Sequence, residues 1–325
     1  MRNISEQVKY VQSVGIIVCM PQPEIPASKA RTIAIDAERA GQRLDNYLLG
    51  QLKGVPRSLV YRLLRTGQVR VNGGRAKPAY RLQPGDAVRI PPVHTTTREP
   101  PRADPRRARE LLDAVLYEDQ DLLAINKPSG LAVHGGSRVR VGIVEILRAA
   151  GRPQLELVHR LDRETSGCLL LAKRRAALQH LHAELRAGAV RKEYLTLVAG
   201  QWRHPEIVDL PLRRHSGEQR ASSAGKAAIT NFEPFEFLAD TTLTRVLLQT
   251  GRTHQIRVHA AARGHPVAGD TRYGDFAFNR EMRGLGLRRM FLHAASVTCG
   301  HAGGLTVEAP LPAALQDVLQ RLRQR

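Results

Sequence analysis

The sequence predicts an α+β protein in which a small helix-helix-hairpin domain precedes a larger domain with a mixed, largely antiparallel sheet. Three observations lead to this prediction. After residue 112, strand-like segments follow one another with few helical segments between them. Before residue 93, two amphipathic helical patterns are followed by alternating strand patterns. A stretch rich in Pro, Thr and Arg separates the two regions.

Four segments are predicted along the chain. Residues 1–30 have no sustained helical or strand period and are expected to form a loosely ordered tail. Residues 31–93 form the small domain, and residues 94–111, which lack an apolar period, form a linker. Residues 112–325 form the larger domain.

Within the small domain, the first helix is predicted around the apolar positions Leu44, Tyr47, Leu48 and Leu52. The second helix is predicted to begin with Ser58 as its N-cap and to stop at Gly67. Val69 and Val71 then alternate with polar residues ahead of a glycine-rich turn. A last strand is predicted at Ala87–Ile90, which completes the unit.

In the larger domain, five segments have strand character: VLYEDQDLLAINK, CLLLA, EYLTLV, TRVLLQT and FLHAASVTC. One clear helix is predicted from Arg174 to Leu185, with Leu178, Leu181 and Leu185 on one face. Because strands outnumber helices and do not alternate with them, the order favours an antiparallel sheet over a doubly wound one.

The charge of the chain indicates a polyanionic partner. Lys and Arg number 50 against 30 Asp and Glu, a formal net charge of +20. Between Arg43 and Ile90 there are ten bases and two acids. The candidate RNA-binding residues of this region are Arg57, Arg62, Arg65, Arg70, Arg75 and Lys77. The alternative is an ordinary solvated face, although such a face usually mixes both signs of charge.

Several other classes of protein are disfavoured. The three cysteines, Cys19, Cys168 and Cys299, form no CxxC pair, so neither a disulfide framework nor a cysteine zinc site is expected. The spacing of His254, His259 and His265 does not suit metal ligands on one helical face. No apolar stretch is long enough to span a bilayer, and no phosphate-binding glycine motif is present. We therefore expect a soluble cytoplasmic monomer without metal or other cofactor.

One polar segment can carry chemistry. In LELVHRLDRETSGCLLLAK, Asp162 lies between Arg160 and Arg163, whose charges would keep its carboxylate ionised and available as a nucleophile. Ser166 and Gly167 are expected to form the turn before the next strand. An equally reasonable alternative is a structural carboxylate locked in an ion-pair network.

The segment HRLDRETSG, residues 159–167, resembles the signature of the RluA-type pseudouridine synthases. Further segments follow in that family's order: NKPSGLAVHGG (126–136), KEYL (192–195), TGRTHQIRVHA (250–260), GHPVAGDTRYG and FLHA. The small domain resembles the S4 RNA-binding domain, which docks its second helix and the following hairpin on RNA. The resemblance covers roughly Arg31 to Pro310, and it is greatest to members that act on large-subunit (23S) ribosomal RNA.

The resemblance implies the roles of five residues. Asp162 is the nucleophile that attacks the ribose anomeric carbon or the uracil ring, after which the base turns over and rejoins through a ring carbon. Arg257 forms a salt bridge with this Asp, and Tyr194 stacks on the target base and moves a proton. Because the base must be flipped out of folded RNA, Arg160 is expected to enter the vacated place. Leu292 forms an apolar wall of the uracil pocket or, alternatively, is only a core residue.

Two other classes of function remain to be weighed. A non-catalytic ribosome-binding protein would share the charge and the small domain, but would not need Asp162, Tyr194 and Arg257 together. A hydrolase that releases the base would need a second carboxylate to activate water, and Glu164 is the nearest candidate. The sequence does not decide between attack on the sugar and attack on the ring.

Overall fold

The computed structural model describes residues 30–52, 55–93, 104–135, 141–216 and 218–325. Nearly all of the predicted tail, the first ten residues of the predicted linker, Lys53 and Gly136 therefore lie outside the described residues. The chain divides into two compact units, Met1–Arg98 and Glu99–Arg325. Among the described helices, none is long and apolar enough to cross a membrane.

The described part of the first unit consists of two helices and a three-stranded sheet. Its elements are β1 (Arg31–Ala34), α1 (Leu44–Gln51), α2 (Arg57–Arg65), β2 (Arg70–Val71) and β3 (Ala87–Ile90), with a 3-10 turn at Ala37–Arg39. The strands lie in the order β1-β3-β2, and both pairings are antiparallel. Leu44, Leu48, Leu63 and Val88 are buried between helices and sheet. The two helices and the last strand lie where the sequence predicts them, whereas β1 was not predicted.

The N-cap prediction for α2 was wrong. Pro56, not Ser58, precedes the first helical residue, and the Leu59 N–H donates to the Pro56 carbonyl at 2.9 Å. The ring of Pro56 restricts its own backbone ahead of the helix, so no side-chain oxygen is needed to mark the start. Ser58 instead lies exposed in the first turn.

The second unit contains the remaining elements. Its helices are α3 (Pro105–Asp113), α4 (Ile143–Ala149), α5 (Arg175–Ala187), α6 (Gln255–Ala262), α7 (Phe276–Gly284) and α8 (Ala313–Arg323). Its first strands are β4 (Val115–Glu118), β5 (Leu122–Lys127), β6 (Glu156–Leu157), β7 (Ser166–Ala172), β8 (Arg191–Ala199) and β9 (Glu206–Asp209). The others are β10 (Leu212–His215), β11 (Glu218–Ala221), β12 (Ile229–Leu238), β13 (Thr241–Leu248), β14 (Leu292–Cys299) and β15 (Leu305–Glu308).

Ten of these strands form one sheet in the order β4-β5-β7-β14-β8-β13-β12-β9, with β6 paired to β7 and β15 to β14. Among the described pairings, only β7 with β14 is parallel. The predicted α+β class with a mixed, largely antiparallel sheet is thus confirmed. The strands β10 and β11 form a separate two-stranded hairpin.

The linker prediction was wrong for residues 105–111, which belong to α3. Asp104 caps this helix by accepting a hydrogen bond from the Arg106 N–H, and Pro105 occupies the first helical position. Ala108 and Leu111 are buried against the larger core. In the sequence these two apolar residues stand among the arginines of the outer face, so no helical apolar period is apparent.

Both faces of the central strands are covered. Along β5, Leu123 and Ile125 pack into one apolar cluster, whereas Leu122 and Ala124 pack into another on the opposite face. The first cluster extends across the sheet to Leu292 on β14. Of the candidate site residues, Leu292 and Tyr194 therefore belong to the core itself.

Candidate active site

Asp162 lies in the short loop between β6 and β7. The Thr165 N–H donates to the Asp162 carbonyl at 3.1 Å and closes the turn. The prediction that Ser166 and Gly167 form this turn was wrong, because they begin β7. Gly167 has a φ of +111°, and a Cβ there would collide with the Ala294 backbone, so only glycine lets β7 approach β14 so closely.

A second loop holds the Asp162 loop from the side. The fully buried Lys127 ammonium donates to the carbonyl of Arg163 at 3.0 Å, and the Gly130 N–H donates to the same carbonyl at 2.8 Å. The Ser129 hydroxyl donates to the Glu164 carbonyl at 2.7 Å. These contacts position the backbone on the carboxyl side of Asp162 without using its side chain.

The side chain of Asp162 faces two basic groups. Arg257 Nη1 lies 3.6 Å from Asp162 Oδ2, and His254 Nε2 lies 3.8 Å from the same oxygen. The Asp162 side chain is 18% exposed, so it is reachable from the cavity while its charge is only partly solvated. The 95 residues that separate Asp162 from Arg257 are bridged by the packing of α6 against the sheet.

The main partner of Arg257 is Asp270. Arg257 Nε and Nη2 donate to the two carboxylate oxygens of Asp270 at 2.7 Å each. Burial by itself would raise the pKa of Asp270, but the hydrogen bonds and charge of Arg257 lower it. The backbone N–H groups of Arg272 and Tyr273 donate to Asp270 as well. The Asp270 carboxylate is therefore held in place, and with it the two hydrogen bonds from Arg257, which we call the Arg257–Asp270 fork.

The arginines on either side of Asp162, whose charges were predicted to keep its carboxylate ionised, form no ion pair with it in the described residues. Arg163 pairs with Glu164, its Nε lying 2.7 Å from Oε1. Arg160 is exposed and, within the described residues, makes no ion pair with Asp162. The charges nearest to the Asp162 carboxylate therefore come from Arg257 and His254, which are distant in sequence.

Tyr194 and Leu292 lie on the neighbouring strands β8 and β14. The Tyr194 side chain is 7% exposed and Leu292 is 3% exposed, and both belong to the large apolar cluster. Burial raises the pKa of Tyr194, and the negative charge of Asp162 raises it further. The phenol therefore keeps its proton at neutral pH.

Asp162, Arg160, Tyr194, Arg257 and Leu292 all line one cavity of about 310 Å³. Among the described residues that line it, Asp162 is the only carboxylate. Leu292 is thus both a core residue and part of the cavity wall. The arrangement suits a nucleophilic carboxylate in a pocket with one aromatic and one apolar wall.

Three further lining or supporting residues were not predicted: Asp270, His254 and Lys192. Asp270 lies in the segment GHPVAGDTRYG, whose family pattern was the available signal. Burial lowers the pKa of His254, against the opposing charge of Asp162. Burial likewise lowers the pKa of Lys192, which projects from β8 on the same side as Tyr194.

The other two histidines considered above pair with the main chain. His259 Nε2 lies 2.9 Å from the Leu210 carbonyl, and His265 Nδ1 lies 2.7 Å from the Ala199 carbonyl, so each nitrogen donates there. In the part of the chain that the structure describes, no three His, Cys, Asp or Glu side chains are grouped as metal ligands.

The first unit presents a basic surface, and two of its four described acids, Asp45 and Asp86, are occupied internally, whereas Asp36 and Glu38 are exposed. Asp45 accepts hydrogen bonds from Arg43 and Tyr61, and Asp86 accepts from Asn72 and Tyr80. Both carboxylates are buried. The predicted RNA-binding residues are all exposed: Arg57, Arg62, Arg65, Arg70, Arg75 and Lys77. The positive charge of this unit is therefore left facing solvent.

Comparison with known proteins assigns both units. The RNA pseudouridylate synthase family matches residues 121–262, which include the loop of Asp162 and helix α6 up to its last residue. The S4 domain matches residues 42–88. The protein is thus an RNA pseudouridine synthase whose catalytic domain follows an S4 domain.

The chain belongs to the RluA-type pseudouridine synthase family. It is 50% identical over 316 residues to the ribosomal large subunit pseudouridine synthase C of Escherichia coli, covering 92% of this chain and 98% of that protein. It is 47% identical over 311 residues to the protein of the same name from Haemophilus influenzae, covering 91% and 96%. Human RNA pseudouridylate synthase domain containing 4 superposes with a TM-score of 0.58 at 26% identity, covering 67% of this chain and 96% of that one.

Proposed function

We propose that this enzyme converts uridine to pseudouridine in large-subunit (23S) ribosomal RNA, with Asp162 as the nucleophile and the target uridine flipped into the cavity. Both curated relatives named above bear the name of large-subunit ribosomal pseudouridine synthases and match nearly the whole chain. The observation that carries the proposal is Asp162, the single carboxylate among the described residues that line the cavity, which lies 3.6 Å from the Arg257 guanidinium.

The isomerisation uses groups that the cavity contains. An oxygen of Asp162 bonds to the ribose anomeric carbon or to the uracil ring, and the bond between ribose and N1 breaks. The base turns over and its C5 bonds to the ribose anomeric carbon. The bond between Asp162 and the substrate breaks, which regenerates the carboxylate, while C5 releases a proton and N1 gains one. The product has the same atoms as the substrate, so the reaction needs no redox partner, metal or energy donor.

Arg257 supports the ionised form of the nucleophile. Its Nη1 faces Asp162, while the fork on Asp270 prevents the guanidinium from turning away. Tyr194 offers an aromatic ring for stacking and a protonated hydroxyl for proton transfer. Leu292 closes the apolar side of the pocket, and Arg160 at its rim fills the place that the flipped uridine leaves.

The S4 domain is proposed to dock on RNA through its second helix and the hairpin that follows. Six exposed bases lie on these elements and on the segment after β2, and two acids of the unit, Asp45 and Asp86, are used internally. We propose a cytoplasmic monomer. The buried free thiols of Cys168 and Cys299 suit a reducing compartment.

No observation favours the base-releasing hydrolase. Its second carboxylate would have to face the flipped nucleotide, but Glu164 pairs with Arg163 and does not line the cavity. A hydrolase would also release free uracil, which isomerisation does not.

The test is tritium release from carbon 5 of uracil in unmodified large-subunit ribosomal RNA, with the unaltered enzyme and Asp162→Asn. We expect release by the unaltered enzyme, and a rate at least about 10⁴-fold lower for Asp162→Asn with unchanged RNA binding. Free uracil as product, or equal release by both proteins, would refute the proposal.

A further inference from the structure

His254 occupies a strained backbone position at the wall of the catalytic cavity. Its φ of +55° and ψ of +21° lie in the left-handed region, which residues that carry a Cβ rarely adopt. Among the described non-glycine residues with positive φ, it is the only one that lines this cavity. Strain of this kind clusters at active sites, which makes His254 a candidate for a role in the reaction.

The hydrogen bonds around His254 keep it in this conformation. The buried Gln255 side chain accepts from the Thr250 hydroxyl at 2.8 Å and from the Arg252 N–H at 2.9 Å. On the helical side, the Val258 N–H donates to the His254 carbonyl at 3.0 Å. The imidazole is therefore held at the cavity by the fold and needs no ligand to place it.

Tyr273 contacts both of the groups that face Asp162. Its hydroxyl lies 2.9 Å from His254 Nδ1, and the two rings meet edge to face with their centroids 5.5 Å apart. The Arg257 guanidinium lies over the Tyr273 ring, 5.0 Å from its centroid. The Tyr273 N–H also donates to Asp270 at 3.1 Å. One loop thus supports His254 and Arg257 together.

The imidazole of His254 is uncharged at neutral pH. Burial lowers its pKa from the ordinary value of 6.5, and the charges of Arg257 and Arg272 lower it further. The charges of Asp162 and Asp270 act in the opposite direction without reversing the shift. An uncharged imidazole carries a proton on only one of its two nitrogens.

The hydrogen bonds of Tyr273 select the nitrogen of His254 that carries the proton. The Gln219 N–H donates to the Tyr273 hydroxyl at 3.1 Å, so the phenol proton is available to donate to His254 Nδ1. The N–H of His254 is then on Nε2, which lies 3.8 Å from Asp162 Oδ2. The opposite tautomer would aim a lone pair at the carboxylate and leave the phenol proton without an acceptor among the described residues.

His254 Nε2 and Arg257 Nη1 face the same oxygen of Asp162, Oδ2. The other oxygen, Oδ1, makes no hydrogen bond or ion pair within the described part of the chain. At 3.8 and 3.6 Å the two contacts are longer than hydrogen bonds, as is common in an empty site, and they can shorten when substrate fills the cavity. The carboxylate is thus steadied at one oxygen and open at the other.

We propose that His254 is a positioning residue that orients the Asp162 carboxylate through its Nε2–H, and that the Tyr273 hydroxyl selects this tautomer. The inference rests on the proposed function and identifies how its nucleophile is aimed. Oδ1 is then the oxygen that bonds to the substrate. An uncharged donor orients the carboxylate without placing a second full positive charge beside it, so Asp162 stays reactive.

The first experiment compares two substitutions of His254 in the full chain. In His254→Gln the amide nitrogen reaches about as far as Nε2 and can still donate to Asp162, whereas in His254→Asn it reaches only as far as Nδ1. Asn also tolerates the left-handed backbone. At saturating large-subunit ribosomal RNA, we expect single-turnover tritium release to fall about 10²-fold in His254→Asn and to stay within about 10-fold in His254→Gln. RNA affinity should be unchanged in both.

The second experiment tests the tautomer through Tyr273→Phe, which keeps the ring and removes the hydroxyl. We expect the single-turnover rate to fall about 10-fold in the unaltered background. In the His254→Gln background the same change should have no further effect, because a glutamine amide has no tautomer to select. The control is Tyr117→Phe, which loses a comparable hydrogen bond of 2.8 Å to Asp119 away from the cavity and should keep the full rate.

The tautomer can also be observed directly in protein labelled with ¹⁵N-histidine. The signals that disappear in His254→Gln belong to His254, and we expect them to be those of an uncharged imidazole protonated at Nε2. In Tyr273→Phe they should move toward a mixture of the two tautomers. Protonation of His254 at Nδ1 in the unaltered enzyme would contradict the proposal.

Equal rates for His254→Asn and His254→Gln would show that the donor toward Asp162 has no role. A loss from Tyr273→Phe that is the same in both backgrounds would limit Tyr273 to supporting the fold. If His254→Asn does not fold, the cycle of Tyr273→Phe and His254→Gln decides. Failure of the unaltered enzyme to release tritium would refute the proposed function, whereas the ¹⁵N signals would still decide the tautomer of His254.

Discussion

The guanidinium of Arg257 donates two hydrogen bonds of 2.7 Å to Asp270, while its third nitrogen faces Asp162 at 3.6 Å. The two short hydrogen bonds of Arg257 are therefore made to Asp270, which does not line the cavity. Its longer contact is made to Asp162, the proposed nucleophile. This division keeps Arg257 aimed at Asp162 while leaving the Asp162 oxygens free to react. Asp270 is thus a positioning residue.

Asp270→Asn is expected to lower the turnover number about 10²-fold with little change in KM, because Arg257 loses the anchor that aims it. The same change should lower the free energy of unfolding by about 3–5 kcal/mol, since Arg257 would be left buried without its main partner. Single-turnover tritium release and urea unfolding measure the two effects. The exposed Asp317→Asn serves as control. A loss of stability with an unchanged rate would show that Asp270 supports the fold only.

Tyr194 allows the ring and the hydroxyl to be tested apart. Tyr194→Phe keeps the ring and should leave RNA affinity unchanged, but should reduce the rate of the chemical step about 10²-fold or more if the phenol moves a proton. Tyr194→Leu should in addition weaken binding by about 1–3 kcal/mol through lost stacking. Rates at saturating RNA and equilibrium binding separate these effects. Full activity of Tyr194→Phe would limit the role of this residue to its ring.

Lys127 should make the stability of the enzyme depend on pH. Burial lowers the pKa of Lys127 to about 7, with the charge of Arg289 acting in the same direction, from an ordinary value of 10.5. Between these values the unfolded chain holds one more proton than the folded chain, so the free energy of unfolding rises with pH. The contribution is at most about 1.4 kcal/mol per pH unit. Urea unfolding from pH 7 to 9 measures it.

Lys127→Met is the comparison for this experiment, because it removes the titrating group and keeps most of the volume. The variant should be less stable, since three carbonyl groups lose their donor. Its free energy of unfolding should nevertheless rise less with pH than that of the unaltered enzyme. Identical pH dependence in both proteins would contradict a lowered pKa of Lys127.

The S4 domain can be tested by its salt dependence. Arg62→Ala with Arg65→Ala should weaken RNA binding and make the salt slope shallower by about 1.8, at about 0.9 for each lost contact with duplex RNA phosphates. Arg31→Ala with Arg39→Ala, in the same unit but outside the basic cluster, is the matched control. If the Arg62 and Arg65 variant keeps the original slope, these residues do not belong to the contact surface.

Local apolar patterns in the sequence were sufficient to predict the helices and strands that depend on residues near one another in the chain. The helices around Leu48 and Leu63, the strand at Ala87–Ile90 and five strand-like segments of the larger domain follow from apolar spacing. Helix α3 was missed because arginines surround Ala108 and Leu111, and β1 was missed because its pairing with β3 is not visible in either strand alone. Pairing partners distant in sequence leave no local period.

By itself, the sequence determined the α+β class, the excess of positive charge and the family motif around Asp162, because these depend on composition and contiguous residues. Tertiary structure alone decided that His254 also faces Asp162, that Arg160 and Arg163 form no ion pair with it, and that Asp270 holds Arg257. It also placed the β10–β11 hairpin beside the catalytic cavity. The physical reason is that electrostatic and hydrogen-bonding partners are selected by distance in the folded chain, which separation along the sequence does not measure.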